Sequence, residues 1–297
     1  MKKIVLFAIV ALGCMLAGVS CAEDDLNPNS VIVEETSEPT PLDAWLYDNF
    51  VTPYNIEFAY RYQDMESDMT YNLTPASYEK AVQMAKLVRH LCLQSYDEIT
   101  GSEEFIRNYF PKMIYLVGSP AYNNNGTVIL GTAEGGTKIT LYAVNRMDPT
   151  DVDLLNEWYF KTIHHEFAHI LHQTKPYSTD FDQITGTSET SRYVGNACWD
   201  VYATESAALK AGFISRYAAT SADEDFVELI SIYVTNTAST WSSMLSTAGS
   251  TGRSMIESKF EIAYKYMQNE WNIDLDQLRE VVLKRQAEVP TMDLDTL

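Results

Sequence analysis

The run His165, Glu166, Phe167, Ala168, His169 constrains this chain more than any other, because it has to be a helix to make sense. A helix turns roughly 100° per residue, so side chains four apart stand one above the other on one face. Two imidazoles so placed can hold adjacent positions on one metal ion, zinc above all, and the carboxylate beside the first can reach the ion's open side. Histidine is scarce, five in 297 residues, so the pattern is a poor candidate for chance. Uncharged neighbours (Thr162, Ile163, Phe167, Ala168, Ile170, Leu171) suit a core helix with one polar stripe facing a cleft. His164 points about 100° away from His165, and His172 lies two turns along, about 10 Å by the helical rise; neither is expected to be a ligand. His172 is expected next to the ligands or at the surface, and His90 reads as a structural histidine.

The N-terminus carries an address. Lys2 and Lys3 precede an apolar run from Ile4 to Ala17, then Gly18, Val19, Ser20 and Cys21, so residues 1–21 read as an export signal. The run is too short for a comfortable membrane span, and Cys21 resembles the lipidated first residue of a bacterial lipoprotein, although Gly18 stands where such signals usually carry leucine. The acidic Ala22, Glu23, Asp24, Asp25 that follow resemble the signal sending Bacteroidetes lipoproteins to the outer face of the outer membrane, the periplasmic face being the alternative. Residues 22–42 have little to bury and are expected to form a flexible acidic tether.

Once Cys14 leaves with the signal and Cys21 takes lipid, Cys92 and Cys198 remain, either as one bridge or as two buried thiols. The formal charge is -20, and removing Lys2 and Lys3 makes it -22. That excludes nucleic acid as a partner and disfavours strongly acidic substrates. The membrane is contacted only through the lipid on Cys21, and a monomer is expected.

Residues 43–297 are expected to form one domain. The aromatic stretch Trp45 to Tyr62 reads as core. Thr74 and Pro75 are expected to open a helix with Tyr78, Val82, Ala85, Val88 and Cys92 on one face, and a shorter helix is expected at 103–110. Residues 112–117, 127–130 and 138–144 read as strands, with Gly135 and Gly136 as a hairpin turn. Asp148, Pro149 and Asp151 open the histidine helix, whose buried stripe is Val152, Leu155, Tyr159, Ile163, Phe167 and Ile170. Residues 174–196 read as an irregular rim of the cleft and 235–251, rich in Ser and Thr, as a loop before two final helices near 253–269 and 274–286. Small sheet first and helices after is the plan of the zincin metallopeptidases, which the histidine segment resembles. That resemblance implies an α+β fold, a small mixed sheet in an upper half above a mostly helical lower half. It also implies an edge strand that pairs with substrate, for which 138–145 is the candidate.

Two histidines need a third ligand, and none is histidine downstream. A carboxylate is therefore expected, from among Glu189, Asp200, Glu205, Glu224, Asp225 and Glu228. The stretch Tyr217 to Glu228 is similar to the anthrax lethal factor class of metallopeptidases, in which a tyrosine precedes the ligand glutamate by seven and a second glutamate follows it by four. With the signal, the aromatic segment and His165 to His169, the chain resembles the Bacteroidetes zinc-binding metallopeptidase lipoproteins associated with TonB-dependent nutrient importers. The resemblance implies Zn2+ held by His165, His169 and Glu224, with Glu166 as general base and Tyr217 as a helper at the oxyanion. Glu228 would orient a histidine. It further implies a peptide or protein substrate and importer components as partners; the alternative is a zincin-fold module that binds for an importer and cleaves nothing.

Overall fold

The structure, a computed structural model, describes residues 38–67, 70–122, 128–129, 131–134 and 137–297. The expected export signal, residues 22–37 of the expected tether, and the expected glycine turn at 135–136 lie outside them. Thr40–Leu297 form one compact unit.

α1 (Pro41–Leu46) begins where Asp43 Oδ2 accepts the Thr40 N–H at 2.6 Å, and it buries Leu42 and Leu46. Asn55, in the left-handed region at φ 54°, turns the chain into β1 (Glu57–Ala59). Phe50, Tyr54, Phe58 and Tyr60 are buried, so most of the aromatic segment is core, while Tyr47 stays 61 % exposed.

α2 (Tyr78–Val88) starts later than Thr74. Ser77 Oγ accepts the Lys80 N–H at 3.3 Å and makes the cap. Thr74 and Pro75 are drawn to the sheet instead: the Thr74 carbonyl accepts from Gly118 N–H at 2.8 Å and Pro75 bridges Val117. Val82, Ala85, Val88 and Cys92 face the core as their spacing requires. The chain continues through a wide turn (Arg89–Leu93) into α3 (Gln94–Thr100), stops at Gly101 with φ 71°, and forms α4 (Glu104–Tyr109).

The strands β2 (Met113–Leu116), β3 (Ala121–Tyr122), β4 (Val128–Ile129), β5 (Gly131–Glu134) and β6 (Lys138–Leu141) follow. One sheet has the order β1-β2-β6-β5, with the first two pairings parallel and the last antiparallel; β3 and β4 pair separately. This corrects the choice of edge strand. β6 is bonded on both sides, by β2 and by β5, and all four of its residues are buried, Lys138 included. A strand with no free N–H or C=O row cannot accept a substrate backbone; the antiparallel edge is β5.

Asp151 Oδ1 accepts the Leu154 N–H at 3.0 Å and caps a helix that runs from Val152 through a wide turn at Asn156–Phe160 into α5 (Lys161–Thr174). Leu155, Tyr159, Ile163 and Phe167 are buried, and Val152 and Ile170 partly so. Phe167 meets Tyr96 edge-on at 5.0 Å and Phe110 at 5.1 Å. Burying such a ring contributes about 1.5–3 kcal/mol, which fixes the roll of α5 and so aims the opposite, histidine-bearing face.

Helices fill the rest: α6 (Glu205–Lys210), α7 (Ala222–Thr235), α8 (Ala238–Trp271) and α9 (Leu275–Glu288). The expected loop at 235–251 is largely helix. Thr237 Oγ1 caps it by accepting the Thr240 N–H at 3.1 Å, and Trp241, Leu245 and Ala248 are buried at helical spacing. The serines and threonines are absorbed without breaking it; Thr247 Oγ1, for one, donates to the Ser243 carbonyl at 2.9 Å. The break falls at Gly249, φ 69° and ψ -177°. The expected order, strands ahead of the histidine helix and helices after it, is what the chain adopts.

Candidate metal centre

α5 carries His165, Glu166 and His169, and α7, packed against it, carries Glu224 in its first turn. Ser221 Oγ caps α7 through the Glu224 N–H at 3.3 Å and so sets where that carboxylate emerges. Nε2 of His165 lies 3.0 Å, and Nε2 of His169 3.3 Å, from Oε2 of Glu224. One ligand atom from each of the three falls within 4.8 Å of the others. Bonds of about 2 Å at tetrahedral angles leave ligand atoms roughly 3.3 Å apart, so two nitrogens and one carboxylate oxygen at this spacing fit a zinc-sized ion.

The far side of each imidazole is also held. His165 Nδ1 sits 2.9 Å from Glu228 Oε1 and His169 Nδ1 3.0 Å from His172 Nε2. A partner at Nδ1 turns the Nε2 lone pair toward an ion, which is what ligand histidines need. Glu228 is fully buried and receives Lys161 Nζ at 2.7 Å and Ser215 Oγ at 2.6 Å. Burial opposes its charge, but Lys161 and His165 outweigh that and hold its carboxyl well below the usual range. His172 is buried, with Nδ1 4.0 Å from Asp223 Oδ1. Sequence reasoning missed Lys161 and Ser215; Lys161 stands one turn before His165 and was legible by spacing, whereas Ser215 had no signal.

Charge is arranged for a cation. Burial pushes Glu224 up, but its hydrogen bonds with His165 and His169 prevail and bring it down to about 2. Burial lowers His165, yet the Glu224 and Glu228 carboxylates raise it to about 9. A proton on His165 would compete with an ion for the same lone pair. Glu166 is not part of this set. Its carboxyl has no hydrogen-bond or ion-pair partner among the described residues, and burial raises its pKa against the pull of His165 and His169, with the Glu224 and Glu228 carboxylates adding to the rise. The Tyr217 ring lies 5.8 Å from that of His165 and is 37 % exposed. Desolvation, then the charges of Glu224 and Glu166, push its hydroxyl up, so it stays a donor.

The other carboxylates weighed as third ligand lie elsewhere. Glu189 and Asp200 are exposed, Glu205 accepts the Arg216 backbone N–H at 3.0 Å, and Asp225 is paired with Lys259. His164 is buried away from the site, 3.0 Å from Tyr96 OH, and burial lowers it to about 4. His90 sits at α9, 3.2 Å from Glu288. Cys92 and Cys198 are both buried and free.

Two histidines on one helix and a carboxylate from a second, beside a glutamate with no partner among the described residues, form a donor set that could hold one metal ion on an α+β fold. A sequence model of the family described as "Putative zinc-binding metallo-peptidase" matches residues 35–276, and the chain belongs to that family. It is similar to a crystal structure of a putative zinc-binding metallo-peptidase from Bacteroides caccae, with 41 % identity and a TM-score of 0.74 over 86 % of this chain and 94 % of that one. No curated protein matches. The family's description names zinc, the metal expected from His165, His169 and the carboxylate.

Proposed function

We propose that the chain is a zinc metallopeptidase of zincin-like, gluzincin type. The observation that carries this is the convergence of His165 Nε2 and His169 Nε2 on Glu224 Oε2, beside a Glu166 that has no partner among the described residues. His165, His169 and Glu224 would hold zinc, which in such a site supplies Lewis acidity and brings the pKa of water toward neutrality. Glu166, raised by burial, accepts the proton of the attacking water and hands it on to the leaving amine. Tyr217 OH, which keeps its proton, donates to the oxygen where negative charge develops. Glu228 and His172 keep the two imidazoles aimed. β5, which is the antiparallel edge among the described residues, would pair with an extended peptide.

Protein made in zinc-replete medium is expected to hold one zinc per chain and to cleave members of a mixed peptide library, with cleavage stopped by a chelator. His169→Ala is expected to lose the metal. Wild-type protein that comes out metal-free overturns the reading. The same reading attaches the protein to the outer membrane through lipid on Cys21, near importer components. Labelled palmitate is then expected in the wild type and absent from Cys21→Ser; label retained in that variant refutes the attachment.

A further inference from the structure

Trp199 is 46 % exposed on the one-turn helix Cys198–Val201. A single exposed apolar side chain ordinarily needs no explanation, but this one is held in place beside the metal centre. Its ring is stacked on Tyr217 at 6.5 Å and 28°, and Tyr217 in turn lies against His165. The Arg216 guanidinium stands over the Trp199 ring at 4.7 Å. That guanidinium is itself fixed, Nε donating to the Tyr202 carbonyl at 2.6 Å and Nη2 to the carbonyl of Trp199. Below, the buried Cys198 receives Thr220 Oγ1 at 3.6 Å, which ties this turn to the Tyr217–Thr220 turn. The indole is thus a rigid wall two ring contacts from a metal-ligand position.

We infer that Trp199 is the specificity-determining wall of a substrate subsite that takes a large apolar or aromatic side chain close to the scissile bond; this rests on the metallopeptidase reading. The part of the Trp199 ring left exposed is preset by Tyr217 and Arg216, so it loses little entropy on binding and gains most from apolar area or the edge of a second ring. Basic side chains are disfavoured because Arg216 already stands over the ring. Acidic ones gain little, because the Arg216 side chain has donors committed to two carbonyls.

The test uses zinc-loaded protein and short peptide hydroxamates, whose chelating group anchors on the metal, differing in one side chain: methyl, benzyl, carboxymethyl or aminobutyl. Wild type is expected to bind the benzyl compound about tenfold tighter than the methyl one. Trp199→Ala is expected to shrink that ratio below about threefold at unchanged zinc content, and Trp199→Phe to retain it. A wild-type ratio near one, preference for carboxymethyl or aminobutyl, an unchanged ratio in Trp199→Ala, or no binding at all overturns the inference. Failure of the peptidase reading shows separately, as a protein without zinc or a peptide library left intact, because the hydroxamate series reads binding and not turnover.

Discussion

Glu166→Gln is expected to keep its zinc and to lose turnover by roughly 10²–10⁴-fold in kcat. Three observations separate the two effects. Glu166 is outside the set of converging donor atoms, so the ion keeps its ligands. Its carboxyl has no hydrogen-bond partner among the described residues, so an amide of the same shape breaks nothing. Burial raises its pKa, which makes it a stronger base for a proton than an exposed glutamate, and an amide has no such capacity. Metal analysis beside peptide-cleavage rates on the same preparations checks the result. A variant with wild-type rates would sink the role assigned to Glu166, and the same variant with tight peptide capture and no cleavage by wild type would favour a binding module.

The second large effect concerns stability. Lys259 of α8 and Asp225 of α7 form an ion pair in which both side chains are wholly buried. Tyr193 OH donates to the same Asp225 oxygen at 3.1 Å, and the Lys259 ammonium lies 4.7 Å from the Phe213 ring centroid. Burial disfavours both charges, pushing Lys259 down and Asp225 up, and the mutual attraction opposes each shift. Lys259→Ala leaves a carboxylate in the core with one cation fewer and a cavity, and is expected to cost about 3–5 kcal/mol in urea unfolding. Lys259→Met with Asp225→Leu removes both charges and is expected to recover most of that loss. A single variant that costs under about 1 kcal/mol would show that the pair is not what holds α7 to α8.

The histidine pair was legible because a fixed spacing on a helix is a local signal. Glu224 was not legible in the same way. A carboxylate so far along the chain has no periodic relation to His165, and only the resemblance around Tyr217 to Glu228 singled it out from Asp225, one residue on, which the structure commits to Lys259. Sheet order was illegible for a related reason. The run Lys138, Ile139, Thr140, Leu141 alternates like an edge strand, but alternation reports side chains, whereas an edge is defined by which backbone groups lack a neighbour. Helix α8 was hidden by composition: its serines and threonines suggested a loop, while Trp241, Leu245 and Ala248 at helical spacing carried the contrary signal. At α2 the cap was misplaced because Thr74 and Ser77 are chemically alike, and the choice was made by the distant Gly118.

All the residues assigned to the chemistry come from two stretches of chain, Lys161–His172 and Ser215–Glu228, whose helices α5 and α7 pack directly on each other. The wall residue Trp199 and the irregular segment 174–196 lie between those stretches in sequence. The intervening segment can therefore be lengthened, shortened or resurfaced without disturbing the two helices that carry the converging donor atoms.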